Sequence, residues 1–149
     1  MKLVVSACLT GRRCRYDAKT KSNARVNDAV TAWRAEGGTV VSVCPEELGG
    51  LSTPRPPCDL HKGDGAAVWE GQAEVRGRID KLNRTEAYLT GARRALLQAE
   101  GSSRAILKAK SPSCGCGSTW VDGELQNGDG VFAAALRKRG VELLTEENL

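Results

Sequence analysis

Short apolar segments alternate with helix-patterned segments along the chain, and this alternation constrains the fold most. Apolar, partly β-branched runs at residues 3–7, 39–43, 105–107 and 141–144 predict strands, and the first two are expected to be buried. Apolar residues at helical spacing predict helices that begin at residue 24, at residue 85 and near residue 129. Strands that alternate with helices favour a mainly parallel sheet with helices on its faces. We therefore expect one α/β domain over residues 1–149, with a Rossmann-like arrangement of three layers.

The segments between these elements carry weaker signals. Proline and glycine over residues 44–57 predict a loop, and residues 66–75 predict a short strand or strap. Glycine and serine over residues 111–118 predict a turn. The dipeptide Asp122-Gly123 predicts a β-hairpin over residues 120–125.

Length and composition exclude several classes of protein. A chain of 149 residues buries a sufficient core without disulfides. An aromatic content of 4% argues against an RNA-binding module that stacks bases on exposed rings. No apolar run approaches the roughly 20 residues that span a bilayer, so we expect a cytoplasmic protein that binds no membrane. Cysteines stay reduced in that compartment, and six of them therefore indicate metal binding or chemistry rather than disulfides.

Three of the six cysteines directly follow predicted strands. Cys8 and Cys44 come just after the first two strands, and Cys114 lies in the turn after the third. Ligands of an open parallel sheet bind outside the carboxyl ends of its strands, so we expect these thiols to converge there. Their spacings differ from the close pairs of a structural zinc site. Three thiolates suit an iron–sulfur cluster with one iron free of protein ligands, although any single cysteine could simply be a core residue.

The other three cysteines give weaker signals. Cys14 lies among three arginines, which could lower its pKa and make it a spare thiolate. Cys58 and Cys116 are interpreted as incidental core residues.

Other reactive groups lie close to these thiols in sequence. Glu46 could act as a general base on water, or it could be an ordinary carboxylate at a helix start. The hydroxyls of Ser111 and Ser113 could donate to a substrate, or bond their own backbone in a serine-rich turn. Arg55 lies on a proline-stiffened segment and could hold a planar anion by its fork of donors. His61 is the only histidine and has no convincing nucleophile, which disfavours a Cys–His or Ser–His hydrolase.

Positive charge is concentrated at the amino-terminal end. Residues 1–34 hold eight Lys and Arg against two acids, a net charge of +6, whereas the whole chain carries +4. A solvated basic face explains this pattern, and so does attraction of an anion such as a nucleotide phosphate. The residues that would receive the phosphate are Arg12, Arg13, Arg15 and Lys19.

Several of these segments together resemble the thiouracil desulfurase (TudS-like) family, formerly domain of unknown function 523. They occur in the family's order and span nearly the whole chain. Ala18 stands where the family more often has glycine. The matching residues are Ser6-Ala7-Cys8-Leu9, Gly11, Cys14-Arg15-Tyr16-Asp17, Cys44-Pro45-Glu46, Leu48-Gly49-Gly50-Leu51, Thr53-Pro54-Arg55, Ile106-Leu107-Lys108 and Ser111-Pro112-Ser113-Cys114-Gly115.

The resemblance implies a [4Fe-4S] cluster held by Cys8, Cys44 and Cys114. It further implies that the unligated iron binds the sulfur of a thiolated pyrimidine and that the C–S bond is cleaved hydrolytically, without net redox change. The family's acidic and hydroxyl helpers would fall on Glu46 and Ser111. We expect substrate contacts from Arg15, Asp17, Arg55, Lys110 and Ser113.

Substrate and assembly stay open on this basis. The resemblance favours 2- or 4-thiouracil or thiouridine monophosphate, acted on by a monomer or homodimer. Thiolated tRNA is a weaker alternative, because a net charge of +4 offers little surface for RNA. A zinc-stabilised or redox-sensing binding module is the alternative from a different class.

Overall fold

The computed structural model describes residues 1–149. No helix is long and apolar enough to cross a membrane. The elements in chain order are β1 (Lys2–Ser6), a 3-10 helix (Ala7–Thr10), α1 (Ala24–Ala35), β2 (Thr39–Val43), α2 (Pro45–Leu48), β3 (Cys58–His61), α3 (Gly65–Trp69), β4 (Glu74–Gly77), α4 (Thr85–Gln98), β5 (Arg104–Leu107), β6 (Ser118–Val121), β7 (Glu124–Asn127), α5 (Val131–Lys138) and β8 (Glu142–Thr145).

The four predicted strands form one parallel sheet in the order β2-β1-β5-β8, which confirms the α/β prediction. The central strand β1 buries side chains on both faces: Val4 packs into the larger hydrophobic core, and Leu3 and Val5 pack into a smaller one. The prediction that β2 is buried was wrong. This strand lies at the sheet edge, where Val43 alone among its residues is buried.

A second, mixed sheet in the order β4-β3-β6-β7 was not predicted. Its β3–β4 and β6–β7 pairs are antiparallel, and β3 pairs with β6 in parallel. The predicted hairpin is confirmed as β6–β7, and both Asp122 and Gly123 at its turn have positive φ, as a two-residue turn of this kind requires.

Helix starts follow local capping chemistry. Asn23 caps α1 as predicted, because its side chain accepts a hydrogen bond from the Val26 N–H. The predicted loop over residues 44–57 contains α2, whose first residue is Pro45. The prediction of a strand or strap over residues 66–75 was wrong at its start, because α3 occupies that part of the chain. Asp64 caps this helix by accepting a hydrogen bond from the Ala67 N–H.

The short helix α2 lies very close to α4. A Cβ on Gly91 of α4 would stand 1.8 Å from the Pro45 carbonyl oxygen, and one on Gly49 would stand 2.1 Å from the Ala87 carbonyl oxygen. Two glycines therefore allow the helix backbones to touch, and this contact fixes the residues at the start of α2.

Candidate active site

One cavity of about 580 Å³ opens beside residues that follow β1, β2 and β5. Its volume lies within the range of small-molecule sites. The structure brings together nine of the ten predicted site residues on its lining, and Asp17 alone stays outside. The nine are Cys8, Arg15, Cys44, Glu46, Arg55, Lys110, Ser111, Ser113 and Cys114.

The three predicted ligand cysteines reach the cavity from three different segments. Cys8 lies in the 3-10 helix after β1, Cys44 immediately precedes α2, and Cys114 lies in the turn after β5. Their residues are 7%, 9% and 4% exposed, respectively. A buried set of soft sulfur donors that shares one cavity suits a thiophilic metal or an iron–sulfur cluster.

Burial helps to keep the thiols of Cys44 and Cys114 protonated when no cation is near. It raises the pKa of Cys114 to about 12. The pKa of Cys44 is also raised, chiefly by its hydrogen bond with Cys14 and then by burial. Ligation requires thiolates, so a bound cation would have to displace their protons.

Cys14 is a fourth thiol on the cavity lining, 2% exposed. Its predicted low pKa was wrong. A hydrogen bond with Cys44 lowers the pKa of Cys14, but a hydrogen bond with Cys8 and burial together outweigh it and raise that pKa to about 11. The neighbouring arginines do not reverse this result, since the thiol points into the protein rather than into the basic loop.

Glu46 is held at both carboxylate oxygens. Arg55 Nε donates to Oε1 at 2.9 Å, and the Ser113 hydroxyl donates to Oε2 at 2.9 Å. The side chain of Glu46 is 14% exposed and that of Arg55 is 4% exposed. The second residue of α2 thus presents an oriented carboxylate whose charge is balanced by a buried guanidinium.

The two serines form a chain of hydroxyls that leads to this carboxylate. Because the Ser113 hydroxyl donates to Glu46, the Ser111 hydroxyl is the donor in the 3.2 Å Ser111–Ser113 contact. The Ser111 oxygen also accepts from the backbone N–H groups of Ser113 and Cys114. Ser111 thus has the turn-forming role predicted for it, and its donation to a substrate stays a prediction.

The amino-terminal end of α5 holds this serine turn in place. Val131 N–H donates to the Pro112 carbonyl at 2.8 Å, and Phe132 N–H donates to the Ser113 carbonyl at 2.8 Å. A Cβ on Gly130 would stand 2.6 Å from the Ser113 carbonyl carbon. The first N–H groups of a helix lack partners within it, and here the turn supplies them.

Arg55 lines the cavity, but most of its guanidinium N–H groups bond to protein, and its contact with a ligand stays a prediction. Besides bonding Glu46, it donates to the carbonyls of Cys14 and Ser52 and to the Thr53 hydroxyl. Each of its nitrogen atoms thus has a protein partner, and one of these bonds fixes the carboxylate of Glu46.

The predicted substrate contacts differ in how they reach the cavity. Asp17 lies behind Arg15, with a 3.4 Å contact to its Nε, and accepts from the Lys19 N–H. Arg15 itself lies over the Tyr16 ring. Lys110 lines the cavity mouth and pairs with Glu147 at 3.2 Å.

Sequence reasoning missed several lining residues. Tyr16 and Trp120 are 40% and 37% exposed and place aromatic rings at the cavity. Tyr88 on α4 is buried, and this burial, together with the nearby Glu46 and Cys58, raises the pKa of its hydroxyl. Cys58, interpreted as incidental, also lines the cavity. The sequence did contain a signal for Tyr88, because a tyrosine on the apolar face of a helix needs a polar partner for its hydroxyl.

His61 lies outside the cavity lining and pairs with the carboxylate of Asp122 at the hairpin turn. Both side chains are exposed, at 43% and 45%. The pair contacts no cavity cysteine or serine, in agreement with the low weight given to a histidine-dependent hydrolase.

Comparison with known proteins agrees with the sequence motifs and the cavity. Residues 3–148 match the family described as 2-thiouracil desulfurase. The chain belongs to this family. It is similar to "Uncharacterized protein YbbK" of Bacillus subtilis (strain 168), with 36% identity over 99% of this chain and 97% of the relative.

A solved relative gives the structural comparison. The chain is similar to the [4Fe-4S]-dependent thiouracil desulfidase TudS, with a TM-score of 0.81 and 35% identity. The match covers 99% of this chain and 92% of TudS. The buried thiols described above are donors of the kind that such a cluster requires.

Proposed function

We propose that the protein is an iron–sulfur-dependent desulfidase that removes sulfur hydrolytically from a thiolated pyrimidine. The substrate class is 2- or 4-thiouracil or thiouridine monophosphate, and the products are a uracil-type base and sulfide. The observation that carries this proposal is the convergence of Cys8, Cys44 and Cys114 on one cavity that also contains the fixed carboxylate of Glu46. The family membership and the TudS relative support it.

In this proposal Cys8, Cys44 and Cys114 hold a [4Fe-4S] cluster. They follow β1, β2 and β5, which are neighbours in the parallel sheet, and this supports the proposal of a site at the carboxyl ends of a Rossmann-like arrangement. When bound, the cluster supplies a Lewis-acidic iron with affinity for soft sulfur. Three protein thiolates leave one iron open for that purpose.

Glu46 is the proposed general base. Its carboxylate pairs with Arg55 and lines the cavity, and it takes a proton from the water that attacks the thiocarbonyl carbon. Carbon gains the oxygen of that water while the sulfur leaves as sulfide, so no electron is transferred. The hydroxyls of Ser111 and Ser113 form a hydrogen-bond chain that donates toward Glu46 and holds its carboxylate in place, and the proton that Glu46 takes up leaves with the sulfide.

The cavity mouth offers groups suited to a pyrimidine and its phosphate. The rings of Tyr16 and Trp120 supply faces on which a planar base can stack. Arg15 and Lys110 supply positive charge for a nucleotide phosphate. Asp17 orients Arg15, and Arg55 orients Glu46, so these two are positioning residues in the proposal.

Anaerobic reconstitution of single cysteine variants tests this function. Protein rebuilt with iron and sulfide should carry four irons and release sulfide from 4-thiouracil. Cys8→Ala, Cys44→Ala and Cys114→Ala should each lose the cluster, whereas Cys116→Ala, on the half-buried cysteine outside the cavity lining, should keep both iron and activity. Normal iron content in Cys44→Ala would refute the ligand assignment, and an iron-loaded protein that released no sulfide from any thiolated pyrimidine would refute the reaction.

A further inference from the structure

Cys14 and Glu47 are not used by the proposed cluster, yet both lie against Cys44. The Cys14 Sγ, the Cys44 Sγ and a carboxylate oxygen of Glu47 all lie within 4.8 Å of one another. Two thiolates on a tetrahedral zinc ion, each at about 2.3 Å from it, stand about 3.8 Å apart. Small side-chain rotations therefore suffice to bring the three groups to ligand distance.

We propose that Cys14, Cys44 and Glu47 form a separate mononuclear site for a thiophilic divalent cation of the Zn²⁺ type. Two sulfurs and one carboxylate oxygen are donors that zinc accepts, and a water molecule completes the tetrahedron. The two thiols release their protons to solvent when the cation binds. The ligand set then carries one negative charge more than the cation neutralises, which the nearby Arg12 balances.

The surroundings of Glu47 resemble those of a metal-binding carboxylate. The Thr53 hydroxyl donates to Glu47 Oε2 at 2.6 Å, and Arg12 donates to Oε1 at 2.7 Å. Such outer partners orient a ligating carboxylate. The Arg12 side chain is 58% exposed, so its ion pair is weak and Glu47 can turn an oxygen toward a cation.

The use of Cys44 in both sites makes them mutually exclusive, a consequence that rests on the proposed cluster. Cys44 would share one metal ion with Cys14 and Glu47 in the mononuclear site, whereas it would bind the cluster together with Cys8 and Cys114. A zinc-type ion at the first site therefore blocks assembly at the second. Cys14 and Glu47 distinguish the two sites, because the cluster does not require them.

Titration of the cluster-free protein with Co²⁺ under anaerobic conditions tests the mononuclear site. The parent protein should bind one Co²⁺ and develop the absorption of thiolate-to-cobalt charge transfer. Cys14→Ala and Glu47→Gln should each weaken binding at least about tenfold. Cys114→Ala and Cys116→Ala should bind Co²⁺ as the parent does, because neither residue belongs to the group.

Equal loss of Co²⁺ in Cys114→Ala and Cys14→Ala, or no binding by the parent, would overturn the proposal. Circular dichroism shows whether each variant is folded, and Glu47→Gln removes only a partly exposed carboxylate. In a second measurement, preloading the parent with one Zn²⁺ should prevent cluster assembly, while Glu47→Gln assembles its cluster in the same zinc. Cluster assembly in the zinc-loaded parent would disprove the exclusion. The metal-free parent protein could also bind Co²⁺ as expected but fail to assemble any cluster. That result would contradict the proposed function and leave the mononuclear site supported.

Discussion

At the scale of single residues, the position of Glu46 between Arg55 and Ser113 determines what it can do. A carboxylate bonded at both oxygens is oriented, and Glu46 lines the cavity while keeping lone pairs that these two bonds do not use. Glu46→Gln keeps the shape of the side chain but cannot accept a proton. We expect iron content to stay normal while sulfide release from 4-thiouracil falls by about 10²–10⁴-fold.

Glu124→Gln, on an exposed residue of β7, is the matched control and should leave both iron content and turnover unchanged. Iron analysis and sulfide assay on the same reconstituted samples separate a loss of base from a loss of cofactor. Sulfide release by Glu46→Gln at the parent rate would show that another group activates water.

Asp129 links the backbone before β6 to Arg137 of α5, and this link makes the stability of the protein depend on pH. Its carboxylate accepts from the Gly117 N–H at 2.9 Å and from Arg137 Nε at 2.6 Å. Burial raises the pKa of Asp129, but the hydrogen bonds from Arg137 and Gly117 outweigh burial and hold it below the ordinary value. Because the folded protein binds this proton less readily than the unfolded chain, the stabilisation is present above about pH 4 and disappears as pH falls through the lowered pKa.

Asp129→Asn should therefore reduce the free energy of unfolding by about 1–3 kcal/mol at pH 7. The difference from the parent should shrink as the pH is lowered below about 5. Urea unfolding at several pH values measures it, and Asp28→Asn, on the exposed face of α1, should show neither effect. A difference that stayed constant between pH 7 and pH 3 would contradict the assignment to this ion pair.

Nine of the ten residues that the motifs singled out line the cavity, but their side-chain partners could not be predicted from the motifs. The roles of Arg55 and Cys14 depend on which groups face them after folding, and those groups come from segments about 10–40 residues away. Ala18 illustrates the opposite case, in which a local signal was informative. Its φ of 60° lies in the left-handed region, which explains why glycine is the more usual residue there.

At the scale of elements, the contact of α2 with α4 positions Cys44 and Glu46. Gly91→Ala should favour α4 by about 1 kcal/mol through helix propensity. The added methyl group would nevertheless stand 1.8 Å from the Pro45 carbonyl oxygen, which no rotation of a side chain can relieve. We expect a net loss of about 1–3 kcal/mol in stability together with weaker cluster retention, because α2 must move.

Thr90→Ala, one residue earlier in α4, provides the control for helix propensity and should be neutral or slightly stabilising. Thermal unfolding and iron content measure the two effects. A Gly91→Ala protein more stable than the parent would show that the helices have room to separate.

Elements with strong periodicity were predictable, and short elements were not. The long helices α1 and α4 carry apolar residues at helical spacing, and the predicted starts agree with the structure. The five-residue helix α3 and the four-residue strand β3 are too short to show a period, and they depend on tertiary contacts. The exposure of β2 follows from its place at the sheet edge, which depends on the order of all four strands.

At the scale of the whole molecule, the cavity cysteines lie in two separate hydrophobic cores. Cys8 and Cys44 belong to the smaller core with Leu3 and Val5, whereas Cys114 belongs to the larger core. The second sheet, absent from the prediction because its strands are short and its pairings distant, contributes β3 and β6 to that larger core. A cofactor held by all three cysteines would therefore connect the two cores.

Reconstitution should consequently stabilise the entire fold rather than the cavity alone. A ligand present at about 100 times its dissociation constant adds about 2.7 kcal/mol, which corresponds to a rise in Tm of about 5–10 °C for a domain of this size. Cys116→Ser should show the same rise on reconstitution, and Cys114→Ser should show none, because the link to the larger core is lost. Anaerobic calorimetry before and after iron chelation measures the shift. An unchanged Tm in the parent would mean that the two cores are already joined as tightly without the cofactor as with it.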